Sequence, residues 1–191
     1  MIIMLVKIRR SPYLLPKPVA IVGALVDGKP NFLTIADIST TGYKIPRFVV
    51  SSGKPHYTNK GIIENKAFSV NIPSENMVAA VDYCGMKSGY NEDKSTVFEV
   101  FYGKELNSAP MITEAPITHA CRLVKTLDFG DTHYLFIGEI LETFVNDEIL
   151  TNRIPDIKKV LPFSFHSDNH YWSVGNNFAQ AYNIGKKYKK N

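Results

Sequence analysis

The chain has only two cysteines, Cys84 and Cys121, and a single tryptophan, Trp172, among 191 residues. Two cysteines outside any C-x-x-C pair make neither a disulfide framework nor a dithiol redox motif. No apolar run approaches the ~20 residues that span a bilayer. The short apolar start, Met1 to Val6, precedes its positive charges Lys7, Arg9 and Arg10, which is the reverse of a secretory signal. The expected compartment is therefore the cytoplasm, with no membrane partner. No G-x-G-x-x-G follows the first strand and no G-x-x-x-x-G-K-[ST] occurs, which argues against a Rossmann or P-loop nucleotide site. A G-x-S-x-G elbow is absent, and the carboxylates are too scattered to form a glycosidase-like pair. His119 and Cys121 alternate onto one strand face, and His166 and His170 are four apart, but no second pair with ligand spacing joins either. No metal and no catalytic side chain is expected.

Charge of one sign is also missing from the body of the chain. The net charge of +4 comes from Lys186, Lys187, Lys189 and Lys190 near the C-terminus. Removing those four from the twenty-two Lys and Arg leaves eighteen against eighteen Asp and Glu. A terminal lysine cluster reads as a solvated tail, and no basic stripe marks a nucleic-acid surface. The expected division is one domain over residues 1–180 and a basic tail over 181–191.

What is present is aromatic and β-branched. Ten Tyr and eleven Phe suit a pleated surface, and 191 residues bury enough area to fold without a staple. Val19 to Leu25 is a continuous apolar run followed by Asp27-Gly28, a hairpin signal because both turn positions favour positive φ. Phe32 to Ile35 returns, and Phe48 to Val50 is a third short strand that ends in Ser51-Ser52-Gly53. Thr58 to Asn65 reads as a helix capped by Thr58. Ala67 to Ile72 is a strand, and Ser74 opens a helix that runs through Tyr83 and stops at Gly85. After an extended connection marked by Pro110 and Pro116, Cys121 to Leu127 and Tyr134 to Phe144 form two strands around the turn Asp128 to Asp131. A late strand includes Tyr171 to Val174. Six or seven short strands and few helices predict a mainly β, antiparallel barrel or sandwich.

The densest polar cluster is Ser51-Ser52-Gly53-Lys54-Pro55-His56-Tyr57-Thr58-Asn59. It passes from a strand end into a helix N-terminus, where hydroxyls, a lysine and unpaired N–H groups favour an anion such as phosphate. A plain polar loop with an ordinary cap fits the same residues. Asn31 to Ala36 is a second candidate, a strand whose small side chains leave backbone open to a flat ligand, or simply a buried strand. Cys84-Gly85-Met86-Lys87-Ser88-Gly89, with Lys94 beyond, is a third: a flexible loop able to approach a ligand closely, or only a loop.

In order and spacing, these segments resemble the flavin reductase-like FMN-binding family, its flavoredoxin-like branch above all. The resemblance runs over residues 12–175. It rests on Pro18-Val19-Ala20-Ile21-Val22, Asp27 to Ala36, Ser51 to Ile62, Phe68 to Pro73, Cys84-Gly85, Ser88-Gly89, Gly130-Asp131 and Gly138-Glu139-Ile140. It implies an FMN-binding split β-barrel, antiparallel and Greek-key-like, that forms a homodimer with the flavin near the interface. Carried over by position, Asn31, Leu33, Thr34, Ile35 and Ala36 would line the isoalloxazine. Ser51, Ser52, Gly53, His56 and Thr58 would surround the phosphate, and Cys84, Ser88, Gly89 and Lys94 would complete the pocket. The implied function is an FMN-dependent oxidoreductase fed by NAD(P)H or by a redox protein. A non-enzymatic electron carrier and a phosphorylated-ligand binding module without redox turnover are the alternatives. The family's tryptophan after the strand that starts at Asn31 is replaced by Asp37-Ile38-Ser39, so the resemblance bears more on flavin than on nicotinamide. Tyr171, Trp172 and Tyr182 are candidates to cover a flavin, to fill the core or to meet a second copy.

Overall fold

The computed structural model describes residues 4–130 and 132–188. Residues 1–3 of the apolar start, Asp131 of the Gly130-Asp131 motif, and the tail residues Lys189 and Lys190 lie outside the described residues. The strands are β1 (Lys17–Pro18), β2 (Ala20–Val26), β3 (Lys29–Ile35), β4 (Ile38–Thr41), β5 (Arg47–Gly53) and β6 (Ala67–Ile72). They continue with β7 (Val100–Phe101), β8 (Met111–Ile112), β9 (Ile117–Asp128), β10 (His133–Val145), β11 (Leu150–Thr151), β12 (Ile154–Pro155), β13 (Phe163–Phe165) and β14 (Tyr171–Ser173). Helices α1 (Thr58–Asn65), α2 (Val78–Met86) and α3 (Ile157–Val160) are interspersed. Among the described residues no helix is long and apolar enough to cross a membrane.

Seven strands make one sheet in the order β3-β2-β6-β9-β10-β5-β4, every pair antiparallel. Its two outermost strands, β3 and β4, are consecutive in the chain and separated only by Ala36 and Asp37. The Ser51 N–H donates to the Asp37 carbonyl at 2.8 Å, so the sheet curls until its ends meet and the result is a split β-barrel. Two register shifts between β9 and β10, after Ile137 and after Ile140, bend these long strands around the barrel, as bulges do.

The β2–β3 hairpin shows how local sequence sets this architecture. Asp27 and Gly28 have φ of 52° and 79°, the double positive φ of a two-residue turn whose twist matches the flanking strands. Val26 accordingly pairs with Lys29 and Ala20 with Ile35. The run in β2 is continuous because both its faces are buried. Ala20, Val22 and Ala24 join Leu33, Ile35, Phe68, Cys121 and Phe136 inside the barrel. Ile21 packs outward with Phe32, Val81, Cys84 and Phe98 under α2. Each large side chain so buried contributes roughly 1.5–3 kcal/mol.

Several local expectations are corrected. Ser51, Ser52 and Gly53 belong to β5 itself, because β10 continues to pair with them through His133. Strand β4, with the exposed sequence Ser39-Thr40-Thr41, carries no apolar alternation and escaped the sequence reading. Gly85 lies within α2, which ends after Met86. Thr58 is the first helical residue of α1 and caps nothing; the N-cap is Tyr57, with no side-chain bond.

Candidate functional site

Three segments distant in sequence converge beside the barrel: β3, the β5–α1 junction and the chain that follows α2. Between them lies a cavity of about 180 Å³ lined by Leu33, His56, Tyr57, Thr58, Gly85, Met86, Lys87, Ser88, Gly89 and Lys94. A larger one of about 390 Å³ adjoins it, sharing Tyr57, Gly89 and Lys94 and adding Asn31, Asp27, Lys29 and Tyr90. Tyr57 and Tyr90 meet edge to face, with ring centroids 4.7 Å apart.

Lys94 is the decisive charge. It is 2% exposed, and its ammonium donates to the carbonyl oxygens of Lys87 at 3.0 Å and Cys84 at 3.3 Å, around the end of α2. No carboxylate bonds it among the described residues, and burial lowers its pKa. A buried cation with only neutral acceptors is under-compensated, and Lys94 lines both cavities. Cys84, behind it, is packed among apolar side chains, and burial pushes its thiol up to about 11. It is a wall and not a reactive thiol.

The polar cluster is organised by buried amides. The Asn31 amide donates to Thr58 Oγ1 at 2.7 Å, so the Thr58 hydroxyl proton remains available to the cavity. Ser52 donates to Asn59 Oδ1 at 2.6 Å, and the Asn59 amide donates to the Gly53 carbonyl at 2.7 Å. The same Ser52 oxygen lies 3.1 Å from Nδ1 of His56. The pKa of His56 is lowered, first by burial and then by the charges of His133 and Lys94. Gly89 has no room for a side chain: a Cβ there would lie 2.4 Å from Tyr57 Cδ1 and 2.5 Å from Asn31 Oδ1.

Of the residues singled out from sequence, Leu33, His56, Thr58, Ser88, Gly89 and Lys94 come together in the smaller cavity, and Asn31 in its neighbour. Ser52 and Gly53 stand behind His56. Thr34 turns away and donates to the Val81 carbonyl at 2.5 Å, the Ile35 side chain lies in the barrel core, and Ala36 sits in the bend between β3 and β4. Ser51 contributes its backbone to barrel closure. Lys54, in the middle of the polar cluster, pairs with Asp128 at 2.7 Å and lies over the Tyr134 ring. The helix end is less open than expected, because the N–H groups of Asn59 and Lys60 already donate to His56 and Tyr57. Tyr57 and Lys87 line the cavity without having been selected; both stood inside the quoted clusters. Trp172 stacks on His166 with centroids 5.4 Å apart. Tyr171 donates to Asp82 at 2.9 Å, and Tyr182 is exposed.

The family model described as the flavin reductase like domain matches residues 12–168. The chain belongs to the flavin reductase-like family. A curated relative, an uncharacterised protein of Archaeoglobus fulgidus, is 30% identical over 152 residues, covering 79% of this chain and 81% of that protein. Among solved structures, flavoredoxin from Methanosarcina acetivorans is similar at 42% identity and a TM-score of 0.93, covering 96% of this chain and 98% of its own. Flavoredoxin of Desulfovibrio vulgaris (Miyazaki F) is similar at 31% identity and a TM-score of 0.87, covering 95% of this chain and 100% of its own. In this flavin reductase-like protein the barrel is thus the family's barrel, and the Lys94 cavity is set against its outer wall.

Proposed function

We propose that the protein binds FMN and works in electron transfer, as an oxidoreductase that takes electrons from NAD(P)H or a redox protein and passes them to an acceptor. The observation that supports this reading is the buried Lys94 ammonium, which no carboxylate bonds among the described residues and which sits in a cavity with the hydroxyls of Thr58 and Ser88 and the ring of His56. A phosphate supplies the charge and acceptor oxygens that such a set lacks. The residues therefore fit the phosphate end of a flavin mononucleotide. Isoalloxazine supplies the redox chemistry when bound, and no side chain need act as acid or base.

The chain's own residues bind and orient. Lys94 fixes the anionic end, Thr58 donates to it, and Gly89 lets the backbone approach it. Asn31, held to Thr58, ties β3 to α1, so ring-side and phosphate-side segments keep one spacing. Ala36, in the bend outside both ladders, leaves backbone groups that a flat ring can use, with Ile35 and Thr34 supporting them from behind. The Ser51 side chain and Cys84 complete the proposed wall.

The carrier reading, in which a protein partner delivers the electrons, is favoured by one specific observation: the 42% and 31% identical structures are flavoredoxins. Rapid anaerobic reduction by NADH or NADPH separates the enzyme from the carrier. A visible absorbance spectrum of purified protein, with identification of released flavin, tests the common premise. A colourless protein that also fails to take up added FMN defeats it.

The working form in this proposal is a homodimer in the cytoplasm. Support comes from apolar side chains stranded on the segments flanking the barrel, with Leu5 92%, Phe178 98% and Tyr182 99% exposed. Exposed apolar sets of this kind mark association surfaces. Light scattering of the eluted protein reads the mass, and a monomer at all concentrations removes the proposal.

A further inference from the structure

We infer that His56 takes up a proton when the flavin phosphate binds, and that this proton makes the site select a phosphorylated flavin over an unphosphorylated one. The inference rests on the FMN reading above and goes beyond it.

The donors and acceptors of a buried hydrogen-bonded chain, Gly53–Asn59–Ser52–His56, fix which ring nitrogen carries the hydrogen. The Gly53 carbonyl can only accept, so the Asn59 group 2.7 Å from it is the NH₂, and Oδ1 of Asn59 faces Ser52. That oxygen can only accept, so Ser52 gives it its single proton across 2.6 Å. The Ser52 oxygen then has only lone pairs left for His56, 3.1 Å away, and Nδ1 of His56 must carry the hydrogen. In the neutral ring the remaining nitrogen, Nε2, is therefore a lone pair. No protein group bonds Nε2 among the described residues, and His56 lines the Lys94 cavity.

A phosphate dianion cannot accept from a lone pair. Transfer of a proton from solvent to Nε2 converts a repulsive contact into a charge-assisted donor, while Ser52 holds the ring in place. The groups around His56 favour this change only once an anion arrives. Burial comes first, and then the basic His133 at the start of β10 and Lys94 on the chain after α2; all three disfavour the charged form of the unliganded ring. Lys87 on the same wall is engaged with Glu92 at 3.7 Å, and Lys54 on β5 is engaged with Asp128. Thr58 and Asn59 from α1 are uncharged. No carboxylate bonds the His56 ring among the described residues, so the incoming phosphate is the counter-charge.

The test is calorimetric titration of the apoprotein with FMN near pH ~7.5, where a phosphate ester of second pKa about 6 is mostly dianionic. Two phosphate-free buffers of unlike ionisation enthalpy report the protons exchanged. We expect uptake of about one proton per FMN, an affinity that weakens by up to about tenfold per pH unit above the bound-state titration, and no uptake with riboflavin. His56→Asn binds FMN more weakly, without uptake and without that pH slope. A variant-free readout is the imidazole ¹⁵N spectrum, in which Nε2 of His56 gains its proton on FMN addition. FMN bound with no proton uptake, uptake retained in His56→Asn, or an unprotonated Nε2 in the complex overturns the inference and leaves the FMN reading standing. Failure to bind FMN at all overturns both.

Discussion

Two populations of lysine divide this molecule. The exposed Lys29 and Lys60 and the partly buried Lys17 and Lys54 each lie within 3.1 Å of an aspartate: Asp93, Asp27, Asp37 and Asp128 respectively. Beside the barrel, Lys94 is buried and, among the described residues, its ammonium bonds carbonyl oxygens alone. The arrangement runs against simple stability, because exposed pairs are weak and screened whereas a buried ammonium without a counter-charge is costly. Charge was neutralised where that matters least and left open where it matters most. Groups left in that condition cluster at functional sites, which is why Lys94 and not the lysine-rich tail points to the ligand.

Removing the unusual member breaks the comparison most sharply. Lys94→Met keeps length and apolar bulk but deletes the charge. FMN affinity should fall by at least about thirtyfold, the lower end of the 2–5 kcal/mol lost when one member of a buried charge pair is truncated. The apoprotein should melt at the same temperature or higher, since a desolvated ammonium is gone. A variant that retains FMN, measured by equilibrium dialysis, would assign the cavity to something other than phosphate. Gly89→Ala comes next. Its Cβ would meet Tyr57 and Asn31, and overpacking of this kind costs about 1–3 kcal/mol. We expect FMN binding to weaken about tenfold or more while circular dichroism stays native; unchanged binding would mean the Asn31–Thr58 link has no part in it.

This contrast also marks where sequence reading succeeds. The β2–β3 hairpin was legible because its cause is local: Asp27 and Gly28 adopt the positive φ that their residue types permit. The barrel class followed from strand-length apolar runs, and the family pattern carried the order of the site segments. Strand β4 was not legible, since an exposed Ser39-Thr40-Thr41 becomes a strand only through pairing with β5. Thr58 looked like a cap because caps are local, yet its partner is Asn31, twenty-seven residues earlier. Lys54 sat in the centre of the polar cluster and belongs to Asp128, whereas Lys94, forty residues on, supplies the cavity's cation. Nothing local tells which lysine will find an acid.

A second pair, His56 and His119, sharpens the same lesson with a smaller effect. Both are held neutral by burial, His119 with a pKa lowered to about 4. His56 opens on a cavity, whereas His119 packs against Phe48 and bonds Thr143 at 2.9 Å, and no carboxylate bonds it among the described residues. The unfolded chain protonates His119 at its ordinary value of 6.5 and the folded chain only near 4, so the unfolded state gains protons across that interval. Stability should fall as pH drops from 6.5 toward 4, and His119→Phe should flatten that part of a denaturation-versus-pH curve. An unchanged slope would place the titrating group elsewhere.

The smallest effect is expected where a lysine already has its acid. Lys60→Ala deletes an exposed pair whose partner Asp27 keeps the Tyr57 hydroxyl at 2.9 Å. The pKa of Asp27 is lowered mainly by its bond from Lys60 and next by that from Tyr57. The pair's contribution is present above the ordinary carboxylate value and is lost as pH falls through the lower folded one. Near neutral pH the variant should therefore lose little stability, and less still in high salt. FMN affinity should match the wild type, although Lys60 and Lys94 carry the same charge. If Lys60→Ala weakened FMN as Lys94→Met does, net positive charge near the site would suffice. The distinction between compensated and uncompensated lysines would then have no functional content.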